Sequence, residues 1–209
     1  MTDTVRRANP IPNLLTGLRL IAGVVMFLML AGAMGGVPIL SAYLSPQDQF
    51  ALQKAAFIVF VVAASTDWVD GYLARRWNAT TRWGAILDPI ADKILVTGTI
   101  VGVLASGTTA AVVIPFGLIL FREFAVSALR ETTAGRVSLP VTLLAKWKTT
   151  LQMLALGAQL FGLVLRERYA VSNWLPMYVS FADLLVWLAA LVTLWTGWQY
   201  FSNARKQLG

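Results

Sequence analysis

Six apolar stretches, at about residues 14–34, 51–74, 86–106, 110–130, 146–164 and 177–200, are each long enough to cross a bilayer as a helix. Backbone in hydrocarbon must satisfy its own hydrogen bonds, so this pattern predicts an all-α integral membrane protein: six transmembrane helices after a short juxtamembrane segment, residues 1–13, in a single domain over 1–209. With 57% hydrophobic residues and only 13% charged, the chain is neither a soluble domain nor a disordered one. Residues 1–12 hold Arg6, Arg7, Pro10 and Pro12, and no small-residue cleavage site follows the first apolar run, so a cleavable signal is not expected.

Charge sets the expected orientation. Arg75, Arg76 and Arg82 crowd the connector after the second stretch, whereas residues 35–49 hold no basic residue, which places both termini and the 75–83 connector on the cytoplasmic side. Arg166, Glu167 and Arg168 run against this rule, since six crossings put them outside. Trp174, Tyr178, Trp195, Trp198 and Tyr200 ring the last stretch at interfacial positions. The net charge of +7 is then a record of topology and of attraction to anionic membrane lipid, and no nucleic-acid partner is expected. Neither Cys nor His occurs, which excludes a thiolate nucleophile and the commonest zinc ligands and leaves carboxylates and lysines to move protons.

Four of the ten acidic residues fall in one segment, residues 65–93, STDWVDGYLARRWNATTRWGAILDPIADK, bounded on both sides by apolar sequence. Carboxylates there are costly and usually face a cavity, a bundle interior or a cation. At about 100° per residue, Asp67, Asp70, Gly71 and Ala74 share one helical face, and Gly84, Asp88 and Asp92 share another. The short connector lets the two helices run antiparallel, so that the acidic faces can converge. Such a cluster needs compensating charge, and with no His or Cys nearby the natural compensation is Mg²⁺ or Mn²⁺. Gly71 and Gly84 clear room for a bulky anion, and Arg75 can grip phosphate oxygens. Carboxylates, two metal ions, small residues and an arginine suit a diphosphate.

The pattern D-x2-D-G-x2-A-R-x8-G-x3-D-x3-D, formed by Asp67, Asp70, Gly71, Ala74, Arg75, Gly84, Asp88 and Asp92, resembles the signature of the CDP-alcohol phosphotransferases without a departure. IPNLLTGLR (11–19), REFAVSALRE (122–131) and KWKTTLQM (146–153) resemble the bacterial branch of that family that uses CDP-diacylglycerol and sn-glycerol 3-phosphate. The resemblance implies the family fold, a bacterial inner-membrane location and a homodimer. It also implies two Mg²⁺ or Mn²⁺ ions, with Asp67 and Asp88 bridging both, Asp70 completing one, and Asp92 touching the other and acting as general base. It assigns Asn13, Thr16, Gly71, Ala74, Arg75, Thr81 and Gly84 to CDP-diacylglycerol. For Asn13 the ordinary alternative is helix capping, and for Thr81 an exposed loop position.

The acceptor is read from charge as well as from the resemblance. An acceptor phosphate beside an anionic donor needs fixed cations, for which Arg122, Arg130, Lys146 and Lys148 are candidates, with interfacial snorkelling the alternative for all but Arg122. Inositol phosphate meets the same charge requirement, and serine or phosphatidylglycerol are further acceptors for the same chemistry. An ion-coupled transporter is the non-enzyme alternative, although no internal repeat is found. Arg122 and Glu123, adjacent within a span, are each expected to find a partner on another helix. Asp183 is read as a water-facing or paired structural acid. The stripe Gly98, Gly102, Ser106 permits close helix contact, within one chain or at a dimer seam.

The topology is directly testable in a chain that lacks cysteine. A single cysteine introduced at Ser202 should be labelled by an impermeant thiol reagent from the cytoplasmic side; labelling from the outside only would overturn the predicted orientation.

Overall fold

The computed structural model describes residues 11–77, 82–133 and 143–208; within its helices the side chains of residues 11, 12, 40, 41, 67–77, 82, 83, 85, 133, 143–146 and 208 lie outside the description. The described chain is helical, and it divides into two compact units, Met1–Gly102 and Val103–Gly209.

In the first unit, α1 spans Ile11–Ala33, α2 is a single turn at Pro38–Ser41, α3 spans Pro46–Trp77, and α4 spans Arg82–Ala105 with its final residues in the second unit. A Schellman-type turn closes α1: Gly35 takes φ 75°, and the Gly36 N–H donates to the Ala31 carbonyl at 2.8 Å. The α3 helix starts earlier than the apolar pattern indicates, because Ser45 and Asp48 cap each other. The Ser45 N–H and hydroxyl donate to Asp48 Oδ2 at 3.0 and 2.7 Å, the Asp48 N–H donates back at 3.3 Å, and Pro46 takes the first helical position. At its other end α3 continues to Trp77, so Arg75 is helical and only residues 78–81 separate α3 from α4.

Glycine governs how α1 meets α4. A Cβ on Gly23 would lie 3.3 Å from the Leu95 backbone nitrogen, one on Gly98 3.3 Å from Phe27 Cβ, and one on Gly102 2.5 Å from Leu30 Cδ1. Two of the three small residues of the stripe therefore serve a contact inside the chain, whereas the Ser106 hydroxyl donates to the Val103 carbonyl of its own helix. Met26, Leu30, Leu95 and Ile100 fill the interface with no exposed surface, and the buried Thr99 hydroxyl donates to the Leu95 carbonyl at 2.7 Å. Pro89 removes one backbone donor from α4 in the turn that carries Asp88.

In the second unit a 3₁₀ turn, Ala110–Val112, leads into α5 (Val113–Thr133), followed by α6 (Leu143–Tyr169) and α7 (Leu175–Leu208). Phe116, Ile119, Leu156, Leu160 and Val186 form its core. Asp183 is paired: Thr109 Oγ1 donates to one carboxylate oxygen at 2.7 Å and Gln159 Nε2 to the other at 2.8 Å. The Tyr178 hydroxyl donates to the Ala158 carbonyl at 2.8 Å, joining α6 to α7.

The protein is a multi-pass membrane protein. Among the described residues, five helical segments are long and apolar enough to cross a bilayer: Asn13–Ala33, Pro46–Thr66, Ala110–Thr132, Trp147–Tyr169 and Leu175–Gln207. The sixth long helix, α4, is apolar too but carries Arg82, Asp88, Asp92 and Lys93 in its first half, and it is not among these five. Exposed Phe121, Trp147, Leu184, Trp195 and Trp198 supply apolar surface suited to lipid.

Overfilling the α1–α4 contact should be costly. Gly102→Val is expected to destabilise the protein by about 1–3 kcal/mol, read as a lower thermal midpoint in detergent, because the added branch meets Leu30. Gly117→Ala, where a Cβ meets nothing within 4 Å, should leave the midpoint unchanged or raise it.

Candidate active site

Two consecutive turns of α4 carry Asp88 and Asp92, and each carboxylate is met by a side chain from α1. Thr16, 2% exposed, donates its hydroxyl to Asp88 Oδ1 at 2.5 Å. Arg19, three residues on, places Nη1 2.8 Å from Asp92 Oδ1. The spacing of three on α1 and four on α4 brings both pairs into register along one contact. The Arg19 side chain is fully buried, whereas that of Asp92 is 42% exposed and Asp88 is exposed. Gly84 is buried in the first turn of α4, and Asn13 stands half-buried one turn before Thr16. Thr16, Asp88 and Asp92, singled out from sequence, are thus brought together. Arg19, read there only as part of a family-like segment, joins them.

Asp67, Asp70, Gly71, Ala74 and Arg75 lie on the last turns of α3, but their side chains are outside the described residues, as is Thr81 altogether. The expected convergence of the two acidic faces rests on those side chains. Among the described residues no three potential metal ligands gather. What is described fits a hard divalent cation in chemistry: the α4 donors are carboxylates, and Asp88 is oriented by a neutral hydroxyl that leaves its negative charge in place.

A second charged cluster lies within the second unit. Lys148 Nζ on α6 donates to Glu123 Oε1 on α5, and Arg122 Nη1 approaches the same oxygen at 3.3 Å. The meeting of Arg122 and Glu123 corrects the expectation that neighbours on a helix stay apart. It arises because the arginine stem folds back into space opened by Gly197, where a Cβ would stand 2.8 Å from Arg122 Cγ. Each residue also has the partner expected on another helix, Lys148 for Glu123 and Thr196 for Arg122, whose Nη2 donates to the Thr196 hydroxyl at 3.3 Å. Buried Arg122 Nε finds no acceptor among the described residues. With two cations on one carboxylate the cluster keeps a net positive charge, and such a group can receive an anion. Arg130 is exposed near the end of α5, and the Lys146 side chain is outside the described residues.

Sequence reasoning did not find the contributions of Arg19, Thr196 and Gly197. For Arg19 a signal existed: a cation inside an apolar run, three residues after Thr16, must have a partner or reach the interface. For Thr196 and Gly197, inside an apolar helix, no local signal exists.

Comparison with known proteins adds a lineage to this geometry. The sequence profile described as CDP-alcohol phosphatidyltransferase matches residues 9–195. The chain is similar to proteins named CDP-diacylglycerol--glycerol-3-phosphate 3-phosphatidyltransferase in several bacteria. The Cereibacter sphaeroides protein is 38% identical over 229 aligned positions, covering 95% of this chain and 96% of that one. The Escherichia coli K12 protein is 43% identical over 159 positions, 74% of this chain and 80% of its own. The Haemophilus influenzae protein is 41% identical over 154 positions, 72% of this chain and 77% of its own.

The shared carboxylate of Glu123 should matter to stability. Glu123→Gln leaves two largely buried cations facing each other and is expected to cost on the order of 2 kcal/mol, whereas Thr196→Val, which removes one neutral acceptor, should cost about 1 kcal/mol. Thermal midpoints in one detergent check the order; an equal or reversed order would refute the assignment.

Proposed function

Because the chain belongs to the CDP-alcohol phosphatidyltransferase family, we propose that it transfers the phosphatidyl group of CDP-diacylglycerol to sn-glycerol 3-phosphate, giving phosphatidylglycerophosphate and CMP. The observation that carries the choice of acceptor is the similarity, over nearly the full length of both chains, to the Cereibacter sphaeroides protein named for that reaction. The first unit supplies two of the motif's carboxylates, each held by a residue of α1.

The family uses divalent metals. On this reading Asp67, Asp70, Asp88 and Asp92 would hold two Mg²⁺ or Mn²⁺ ions, which when bound neutralise the donor diphosphate and the charge on the departing CMP. The residues of the chain do the rest. Arg75 forks onto phosphate oxygens, Gly71, Ala74 and Gly84 let the nucleotide approach the backbone, and Asn13, Thr16 and Thr81 complete its binding. Thr16, with its proton on Asp88, contributes by holding that carboxylate still. Asp92 steers the proton of the acceptor hydroxyl as the oxygen attacks the β-phosphorus. Arg122 and Lys148, joined by Arg130 and Lys146, take the acceptor's phosphate, and Glu123 sets the spacing of the first two. The acyl chains stay in lipid, which delivers the phosphorus at a fixed depth and lets positioning supply much of the rate. Both termini are assigned to the cytoplasmic face on the distribution of Arg and Lys, and a homodimer on family resemblance.

The test is an acceptor panel with purified protein, CDP-diacylglycerol and Mg²⁺, with CMP release measured and the lipid product identified by mass. Phosphatidylglycerophosphate is the expected main product; phosphatidylserine or phosphatidylinositol phosphate would sink the acceptor assignment, and transport without CMP release would sink the enzyme. Asp→Asn at positions 67, 70, 88 and 92, made singly, should each lower turnover by roughly a hundredfold or more, since each loss withdraws charge aimed at the transition state. Near-normal turnover of Asp88→Asn would remove the metal assignment.

A further inference from the structure

The contact between Arg19 and Asp92 joins two unlike environments. The guanidinium side chain has no exposed surface, while the carboxylate is 42% exposed. An arginine near the end of a membrane helix ordinarily extends its charge to the interface, where it serves topology at little cost. Arg19 does the opposite: it is the largest fully buried side chain in the described protein. Burying a guanidinium is costly unless a specific partner answers it, so a need for positive charge on that side of the membrane does not account for this seat.

The seat is also rigid. One turn further along α1, Gly23 allows the helix to approach the Leu95 backbone so closely that a Cβ would lie 3.3 Å from its nitrogen. The backbone that carries Arg19 is thus packed closely against α4 one turn away, and its planar fork reaches Asp92 from that packed base. An aspartate side chain on a helix has more than one staggered well, each aiming the carboxylate differently, and a fixed donor selects among them. Three residues earlier, Thr16 does for Asp88 with a neutral hydroxyl what Arg19 does for Asp92 with a charge.

We propose that Arg19 is a positioning residue for Asp92: from its buried seat it binds one carboxylate oxygen and fixes the plane and torsion in which Asp92 meets the attacking hydroxyl. The proposal rests on the reading of Asp92 as the carboxylate that steers the acceptor's proton. It requires no contact between Arg19 and either substrate. Loss of Arg19 should therefore appear in turnover and not in substrate binding, and only while Asp92 is present to be positioned.

Four full-length variants, Arg19→Gln, Arg19→Lys, Asp92→Asn and the double Arg19→Gln/Asp92→Asn, test this in detergent containing CDP-diacylglycerol. Turnover is normalised to the folded fraction read from thermal melts. Arg19→Gln should lower kcat by about tenfold to a hundredfold with both KM values within about twofold, as for the loss of a partner that orients an active-site ligand. Arg19→Lys should recover part of kcat and stands in if Arg19→Gln does not fold. Adding Arg19→Gln to Asp92→Asn should lower the residual rate no further. A second readout is independent of catalysis. Asp92→Asn takes a carboxylate partner from a buried guanidinium, so it should lower the metal-free thermal midpoint more than Arg19→Gln does, and the double variant should regain part of the loss. Wild-type kcat per folded molecule in Arg19→Gln, or in Arg19→Lys, beside an inactive Asp92→Asn overturns the proposal alone, as does a decrease that multiplies with that of Asp92→Asn or an unchanged midpoint in Asp92→Asn. Full activity in Asp92→Asn removes the reading of Asp92 and the proposal with it.

Discussion

A carboxylate in an apolar helix bundle is tolerated only when its charge is answered, and much of this structure consists of the answers. Asp88 is answered by a hydroxyl, Asp92 by a buried guanidinium, Asp183 by a hydroxyl and an amide, and Glu123 by a lysine and an arginine together. In all four at least one partner comes from a different helix: α1 for Asp88 and Asp92, and α6 for Asp183 and Glu123. The pairs therefore do what disulfides or a large soluble core would do elsewhere, fixing which helices are neighbours where lipid gives apolar surfaces little reason to choose one another.

The two units handle charge differently. In the first, Asp88 and Asp92 are the more exposed partners and the residues that hold them are buried, so negative charge is offered outward. In the second, the Glu123 carboxylate sits between two cations and positive charge is in local excess, while Asp183 is met by neutral groups. Carboxylates offered outward suit cations, and an excess of fixed positive charge suits an anion. The small residues are part of the same design, since Gly23, Gly98 and Gly102 set the α1–α4 distance on which the Thr16 and Arg19 contacts depend, and Gly197 makes room for Arg122.

The order of helices was legible because bilayer thickness dictates the length of an apolar run, and the motif residues because their spacing is helical. Helix ends were less legible. The start of α3 at Pro46 is set by the mutual capping of Ser45 and Asp48, polar residues outside the apolar run, and its end at Trp77 carries Arg75 and Arg76 beyond what hydropathy marks as helix. Two candidates on the acceptor side, Arg122 and Lys148, do meet, but the carboxylate between them was not foreseen as their shared partner. Local spacing on a helix says that adjacent residues diverge; it cannot register that an arginine stem bends over a glycine on another helix. The partner of Arg19 was hidden for a simpler reason: Asp92 lies 73 residues further along the chain.

That separation bears on how the protein enters the membrane. Synthesis proceeds from the N-terminus, so Arg19 is made, and α1 presented to the bilayer, well before Asp92 exists to receive it. Until α4 arrives, the guanidinium must be answered by something other than Asp92, or its stem must carry the charge toward the interface. Docking of α4 then brings the Asp92 carboxylate to within 2.8 Å of the guanidinium. A pair that joins α1 to α4 in the finished protein is thus one of the last contacts that α1 can make within its unit.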